Sequence, residues 1–560
     1  MLILHLVRPK FSIQGFLAIL AVLAGWAMVL FARQDIPRTI TLLQWQPAIF
    51  FPNSPSLLID DISWYFALAL ITLALSSIVT SIAHFGESHQ SEHNLNDKKI
   101  EVIEVQEQSE KKTPPSKPII VNENKSRSNW QAWAGILVLT SLGLVAVAAG
   151  NMLTILLAWA ALDILELFIV LGQVLESKSR QRIILAFSIR VAAIGMVILA
   201  GIDAWSHGML LSFNDIDQIT SIYLILAAGL RFGILPIQLS YIDKLLQKRE
   251  FGTILQLVPA AASLILIVRV AYIGILGTIS PFLLGFTALI GLYAGIQWMN
   301  SKDEIKGMRY WVFGTTSLAI ASAILNSPTA SIAWSIGSLL SGGLILLIFI
   351  HHKNLIPIAF LGFIGFSALP FSPTWLGTNL YTMSGVPSTT TTPFLSYLLS
   401  LFFLLTHSLL LAGFIRHILR GIYPHEQLNN DHFERWVWFL FPFGLIFILV
   451  AHFLIGVLLY PKLNEIQLTG WIMGVVAVIF SGVIWYYHMR YLQSSTHRDQ
   501  TTTTSPFSKF LSLEWLFQFF GSLFHSLSRF IALISTILEG DGGILWAFVL
   551  FALIIVFLLR

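Results

Sequence analysis

The 560-residue chain has no cysteine and few charged residues, since Asp, Glu, Lys and Arg make up only 11% of it. Without cysteine, the chain has no disulfides, thiolate metal sites or iron–sulfur ligands. Soluble domains carry about 25% charged residues, so this composition indicates a polytopic membrane protein. We expect it to hold no cofactor and no metal, to contact the lipid bilayer and no nucleic acid, and to leave any redox centre to another chain.

A cleavable signal peptide is also not indicated. Residues 11–32 form an apolar run long enough to span a bilayer, and no short apolar core is followed by a cleavage motif of small residues. We therefore expect this run to stay in the protein as its first membrane helix.

Apolar runs of spanning length, about 20 residues each, recur along the rest of the chain. They predict an all-α fold of about fifteen transmembrane helices. The runs lie at 13–32, 61–83, 131–149, 151–173, 183–202, 219–238, 252–274, 279–299, 309–325, 331–350, 355–370, 394–417, 437–460, 469–489 and 543–559.

Basic residues gather in alternate loops, which the positive-inside rule places in the cytoplasm. This predicts a cytoplasmic N-terminus and a C-terminus on the outer side. The loops carry Lys178, Arg180 and Arg182; Lys244, Lys248 and Arg249; Lys302, Lys306 and Arg309; His351, His352 and Lys353; and Arg416 and Arg420.

Two segments are not predicted to span. Residues 84–130 are polar and include two adjacent prolines, which favours a flexible cytoplasmic insert. Residues 508–541 repeat apolar side chains at helical spacing between polar ones, which is typical of an amphipathic helix in the membrane plane. We divide the chain into N-terminal helices (1–83), the insert (84–130), a core (131–420), additional helices (421–507), a lateral helix (508–541) and a final span (542–560).

One apolar run carries an arginine, Arg231, close to Gly233 and five residues before Pro236. A charge at mid-membrane depth costs roughly 2.5–3.5 kcal/mol on insertion scales, and glycine and proline interrupt a helix. Two interpretations stay open. The arginine lines an ion or substrate path beside a broken helix, or it snorkels or makes a structural salt bridge.

Five short motifs occur in the order seen in one family. They are residues 58–63 (LIDDIS), 151–159 (NMLTILLAW), 231–243 with Arg231, Pro236 and Asp243, 303–311 (DEIKGMRYW), and 369–375 (LPFSPTW). Together they resemble the antiporter-like membrane subunits of complex I, of related hydrogenases and of multisubunit sodium/proton antiporters.

The resemblance implies an inverted-repeat bundle with helices broken near Gly233, Pro236 and Pro370, followed by a lateral helix. It implies a subunit of a bacterial inner-membrane assembly, with other membrane subunits as partners, in which electron transfer is coupled to proton translocation. It also marks five residues as structural parts of the family motifs: Asp60, Trp159, Asp243, Glu304 and Lys306.

The chain departs from the family along its proton relay. Ala160, Gly337, Ser341 and Gly377 stand where the family has titratable residues, and Arg231 stands where it has a lysine. A guanidinium does not give up its proton in a protein.

We therefore interpret Arg231 as a fixed positive charge that holds a nearby acid ionised or repels cations. Asp163 and Glu166 lie three residues apart, hence on one helix face. We expect these acids to form a closed ion-pair cluster with two or three arginines, namely Arg231 and Arg190, with or without Arg269, which lies nearer its helix end.

His407 is the remaining mid-helix candidate for proton transfer, with a hydrogen-bonded packing histidine as the alternative. Three functions stay open on this basis. The chain is a proton-translocating subunit with a degenerate relay, a non-conducting structural subunit, or an energy-coupling subunit for sodium or inorganic-carbon transport. It has no redox catalytic site of its own.

Overall fold

The computed structural model describes residues 11–42, 54–82, 129–172, 177–209, 211–213, 216–233, 249–275, 279–348, 355–382, 393–419, 435–459 and 468–495, and single residues among and after these ranges. The chain forms two compact units. The first comprises Met1–Pro236 and Ser240–Ser495, and the second comprises Ile237–Leu239 and Thr496–Arg560. In the second unit, the few described positions between 522 and 532 are helical and exposed.

Helices account for nearly all of the described residues of the first unit. They are α1 (Phe11–Ala32), α2 (Asp61–Ile82), α3 (Asn129–Val147), α4 (Met152–Leu171), α5 (Ser177–Ser206), α6 (Gln218–Phe232), α7 (Arg249–Val270), α8 (Ser280–Asn300), α9 (Glu304–Ile324), α10 (Pro328–Leu347), α11 (Ile356–Phe366), α12 (Asn379–Thr382), α13 (Pro393–Leu419), α14 (Arg435–Leu459) and α15 (Leu468–Ser495). Arg33–Asp35 and Trp375–Thr378 form short 3-10 helices.

A helix lies in each of the first fourteen predicted runs, and ten helices of the described residues are long and apolar enough to cross a membrane. The predicted all-α membrane fold is therefore confirmed, whereas the total number of crossings stays a prediction. The last run (543–559) lies outside the described residues, as do the lateral helix apart from its few helical positions and the insert apart from Asn129 and Trp130, with which α3 begins.

A two-stranded sheet, which the sequence did not predict, precedes α2. Strand β1 (Arg38–Thr41) pairs antiparallel with β2 (Ser56–Ile59), with Arg38 opposite Ile59. Asp60 follows β2 and caps α2, because its carboxylate accepts a hydrogen bond from the Ser63 N–H at 2.9 Å while the Ser63 hydroxyl accepts one from the Asp60 N–H at 2.8 Å. Such reciprocal capping satisfies backbone donors that a helix start leaves unpaired.

The helix α10 forms the centre of the bundle and is buried along its whole length. It packs against α9, α7 and α14. Its sequence is rich in serine and glycine, and Gly337 and Gly343 admit the side chains of Phe366 and Leu73 at close range. Small residues allow such close approach where lipid removes the usual hydrophobic driving force between helices.

The helix α6 stops at Gly233, before the end of its apolar run. Gly233 has a φ of +75°, and its N–H bonds to the carbonyls of Gly229 and Leu230. A left-handed residue at this position ends a helix, and glycine adopts it without strain. Pro236 and Asp243 lie outside the described residues.

A second interruption follows α11, which ends at Phe366 although its apolar run continues to 370. The chain turns through Ala368 and Phe371, with φ of 54° and 67°, on either side of Pro370. The Thr374 hydroxyl holds this turn closed, since it accepts from the Ala368 N–H at 3.0 Å and donates to the Gly365 carbonyl at 2.9 Å. The 3-10 helix Trp375–Thr378 and α12 then continue the chain.

Candidate functional site

Four charged side chains from three helices meet in what we call the ion-pair cluster: Asp163 and Glu166 on α4, Arg190 on α5 and Arg231 on α6. Arg231 Nη1 donates to Asp163 Oδ2 at 2.5 Å. Arg190 Nη1 donates to Glu166 Oε2 and lies 3.5 Å from Asp163 Oδ1. The three-residue spacing of the acids lets one guanidinium contact both carboxylates.

The ion-pair cluster lies deep in the bundle. Asp163, Glu166 and Arg231 are only 2%, 1% and 5% exposed. Arg190 lies ten residues from Arg180, the first residue of the apolar segment Arg180–Ser206, or about 15 Å along the helix, so it lies well inside that segment. Among the described residues, the cluster contains two positive and two negative charges, and pairing with an opposite charge is what makes a buried charge tolerable.

The ring of Trp159 packs against the guanidinium of Arg231. The guanidinium carbon of Arg231 lies 4.6 Å from the centre of the Trp159 ring, a cation–π geometry. The indole N–H in turn donates to the Ala262 carbonyl at 3.0 Å. Within the described part of the chain, Nε and Nη2 of Arg231 have no hydrogen-bond partner. The motif tryptophan therefore links the buried charge to α7.

The chemistry of the ion-pair cluster follows from its two cations. Both are guanidinium groups, which keep their protons in proteins, and each is paired with a carboxylate. The arrangement can hold a fixed pattern of charge, and neither cation can pass a proton on. Whether the four residues border an ion path stays a prediction.

Arg269 lies outside the ion-pair cluster, so the cluster contains two of the three arginines that the sequence suggested for it. Its guanidinium makes two hydrogen bonds to Asp60, one of them from Nη2 to Oδ1 at 2.9 Å. This pair joins the end of α7 to the start of α2. Burial alone would raise the pKa of Asp60, but the charge of Arg269 and the hydrogen bonds from Arg269 and Ser63 outweigh burial and hold that pKa below its ordinary value.

A second cluster of charged and polar residues connects the ends of several helices. Arg249 at the start of α7 donates to Glu304 Oε2 at 2.8 Å, and His417 Nδ1 lies 3.5 Å from Glu304 Oε1. His417 Nε2 lies 3.0 Å from the Ser301 hydroxyl. Glu304 thus ties α9 to α7 and α13, whereas Lys306, the other residue of this motif, is exposed.

His407 on α13 is fully buried, and its ring contacts the second helix break, at the end of α11. Its Nε2 lies 3.0 Å from the Phe366 carbonyl and its Nδ1 lies 2.8 Å from the Tyr381 hydroxyl. A carbonyl only accepts, so the bonding assigns the proton to Nε2 and makes Nδ1 the acceptor of the tyrosine O–H. Both ring nitrogens are bonded, as in a packing histidine, and a role in proton transfer stays a hypothesis.

Several residues of these sites were not predicted from the sequence, among them Tyr381, Arg249 in its pairing role, and His417. Tyrosine and helix-end basic residues are common in membrane proteins, so neither type stands out by sequence alone. Among the described residues, no group of three or more His, Cys, Asp or Glu side chains could hold a metal ion.

Known proteins resemble the chain in fold rather than in sequence. No family model and no curated protein matches it. A chain in the structure of the membrane-bound sulfane sulfur reductase, an archaeal respiratory membrane complex, matches with a TM-score of 0.59 and 14% identity, over 97% of this chain and 98% of that one. A chain of the Mrp complex from Dietzia sp. DQ12-45-1b matches with a TM-score of 0.60 and 11% identity, over 98% of this chain and 61% of that one.

These likenesses confirm the predicted fold class, and they agree with the resemblance to antiporter-like subunits at the level of fold. Both structural neighbours are chains of complexes, one of them described as a respiratory membrane complex.

Proposed function

We propose that the chain is an antiporter-like membrane subunit of a multisubunit, complex I-like assembly in a bacterial inner membrane, with its N-terminus in the cytoplasm. Other subunits carry out electron transfer, and the assembly couples it to proton translocation. The main support is the fold, which matches a chain of a respiratory membrane complex over 97% of its own length and 98% of that chain. The five ordered motifs support the same function independently.

Purification from native membranes tests this proposal. We expect the tagged chain, extracted in mild detergent, to bring with it other polytopic membrane subunits and a redox-active partner. An unrelated tagged polytopic protein from the same cells is the control for non-specific association. A chain that purifies alone under conditions that keep other membrane complexes intact contradicts the proposal.

A second candidate is a non-conducting, structural subunit of such an assembly. The ion-pair cluster favours it, because Arg231 is held by Asp163 and Trp159 and cannot act as the titrating base that a lysine provides. In this function the chain keeps the scaffold and lacks the proton relay.

Proton flux in proteoliposomes that contain the whole complex separates the two candidates. For a structural subunit, Arg231→Lys, Glu166→Gln and His407→Gln leave the flux unchanged, once it is normalised to assembled complex. Arg33→Lys, at an arginine near the membrane edge that pairs with Asp61, is the matched control for Arg231→Lys. A gain of flux in Arg231→Lys indicates a blocked path, and a loss in either other variant indicates a conducting subunit. A flux that requires sodium supports the energy-coupling alternative.

A further inference from the structure

We infer that a water molecule binds inside the bundle and bridges His452 of α14 and Ser372, which lies in the turn after α11 (367–374). The site is separate from the ion-pair cluster and from the hydrogen bonds of His407. It does not depend on the proposed function, because it follows from buried polar atoms of this chain alone.

His452 is a second histidine deep inside a spanning helix. It lies within the segment Phe439–Leu459 and is 2% exposed. One edge of its ring rests on the backbone of α11, since a methyl group added at Gly365 would lie 2.9 Å from Nδ1. Among the described residues, Nε2 of His452 has no hydrogen-bond partner. The packing of the ring therefore leaves a buried polar atom unpaired.

Ser372 has a similar unpaired atom. It is 2% exposed. Its backbone is fully bonded, because its N–H donates to the Leu369 carbonyl at 3.0 Å and its carbonyl accepts from the Trp375 N–H at 3.1 Å. The hydroxyl has no partner in the part of the chain that the structure describes. Serine hydroxyls elsewhere in the bundle are bonded, as Ser263 is to the Pro259 carbonyl.

The two side chains belong to the same contact between α14 and the turn. Gly456, one helical turn after His452, lies against Pro373, because a methyl group added there would lie 2.8 Å from the Cα of Pro373. Ser372 is the neighbour of Pro373 in the chain. One helical turn advances about 5.4 Å, and two hydrogen bonds of about 2.8 Å each span a similar distance. The spacing therefore suits a single bridging water.

The chemistry of the two groups also favours water. Proteins satisfy buried polar atoms with ordered water where two or more such atoms lie within its reach. Water donates to a ring nitrogen that carries no proton and accepts from one that does, and it bonds to a hydroxyl in either direction. An apolar molecule would leave both atoms unpaired.

The bound water also distinguishes the two buried histidines. Both ring nitrogens of His407 are bonded to protein groups, namely the Phe366 carbonyl and the Tyr381 hydroxyl. His452 has a ring nitrogen that faces a molecule able to donate and to accept. Of the two histidines, His452 is thereby the better suited to proton transfer.

Radiolytic labelling with synchrotron X-rays tests for the water directly. The X-rays generate hydroxyl radicals from water bound inside a protein as well as from bulk water, so a buried side chain beside a bound water becomes oxidised. Mass spectrometry measures this oxidation at His452 in the full chain, purified in its assembly. His407 is the matched control, because it is also a histidine, is 0% exposed, and has both ring nitrogens bonded to protein groups.

We expect His452 to be oxidised several-fold faster than His407. We also expect Ser372→Ala to lower the rate at His452 towards that of His407, because the water loses one of its two partners. Equal rates at the two histidines of the wild type overturn the inference.

Thermal unfolding shows whether the two side chains share the water. We expect His452→Phe and Ser372→Ala each to lower the unfolding midpoint. The double variant should lose less than the sum, because either change alone already removes the bridge. Ser263→Ala is the control, since it removes the hydroxyl of a buried serine on α7 that is bonded to Pro259, and its loss should add to that of His452→Phe.

Two results of this second measurement overturn the inference. One is an additive loss from His452→Phe and Ser372→Ala, which would show that no shared water connects the two side chains. The other is a rise of the midpoint in His452→Phe, which would show that Nε2 is unpaired in the wild type, since removal of an unpaired buried polar atom stabilises a protein.

Discussion

At the first helix break, the guanidinium of Arg231, two positions before Gly233, is paired with the carboxylate of Asp163. At the second, the carbonyl of Phe366 is hydrogen-bonded to the neutral imidazole of His407. Both sites are buried and both join helices that are distant in sequence. They differ in what happens when one partner is removed. A lone buried charge costs several kcal/mol, whereas a lone buried carbonyl or hydroxyl costs about 1–3 kcal/mol.

This difference shows how the two breaks are stabilised. The first break depends on ion pairs between buried charges, and Asp163→Asn leaves the Arg231 guanidinium without the carboxylate that it contacts. The second depends on neutral hydrogen bonds and aromatic packing around His407, which contacts the rings of Trp334 and Phe366. We expect single substitutions to separate the two breaks by the size of their effect.

The largest effect is expected from Asp163→Asn. The change leaves two guanidinium groups with one carboxylate, and breaking a buried pair in this way costs about 3–5 kcal/mol. Thermal unfolding in detergent, together with the yield of assembled complex, measures the loss. Asp61→Asn is the control, because Asp61 pairs with Arg33 at an exposed position where such a pair contributes at most about 1 kcal/mol. Equal losses in the two variants would show that the ion-pair cluster does not stabilise the fold.

The next loss is expected from His407→Phe. Phenylalanine keeps the aromatic packing and removes both hydrogen bonds, which leaves the Phe366 carbonyl and the Tyr381 hydroxyl unpaired, each at a cost of about 1–3 kcal/mol. Thermal unfolding of the same preparation measures it. His207→Phe is the control, since the His207 side chain is 55% exposed. A loss no larger than that of His207→Phe would mean that the hydrogen bonds of His407 do not stabilise the second break.

Much of the fold could be predicted because a bilayer demands apolar runs of about 20 residues. The helix ends were harder to predict. The helix α9 begins at Glu304, before its predicted run at 309, because hydropathy marks the part in lipid and a helix continues past it with polar residues. The opposite error affects α6, which stops at Phe232 because the left-handed Gly233 ends it inside the apolar run.

The candidate site was also predicted only in part. The sequence predicted the ion-pair cluster because each member is a charge inside an apolar run: Asp163, Glu166, Arg190 and Arg231. The partner of Arg269 could not be predicted, because Asp60 is 209 residues away in sequence and only the fold brings the two together. Tyr381 gave no signal of its own, since its role depends on the turn after α11.

Tyr381→Phe is expected to destabilise the second break less than His407→Phe does. It removes the hydroxyl that donates to His407 Nδ1 and so leaves one buried acceptor unpaired, at a cost of about 1–3 kcal/mol, whereas His407→Phe leaves two groups unpaired. The shift in the midpoint of thermal unfolding measures it, with Tyr397→Phe as the control because Tyr397 is 77% exposed. If the two variants behave alike, Tyr381 does not help to hold His407 in place.

A pH dependence is expected from Asp60→Asn. Asparagine keeps the helix cap and removes the charge that pairs with Arg269. Because the pKa of Asp60 is held below its ordinary value, its charge stabilises the fold above about pH 4, the pKa of an unfolded aspartate. That stability is lost as the pH falls through the lower pKa of the folded state.

The difference in unfolding midpoint between the wild type and Asp60→Asn should therefore be full at neutral pH and shrink in acid. Subtracting the variant removes the contribution of every other carboxylate, and Asp61→Asn controls for the loss of one negative charge at the same end of α2. A difference that stays constant from neutral pH to pH 3 would mean that the charge of Asp60 does not contribute to stability and that the pair with Arg269 stabilises the fold through its packing and geometry alone. A charged pair at the edge of the membrane would then behave like the neutral contacts of the second break, and charge balance would matter only at the depth of the ion-pair cluster.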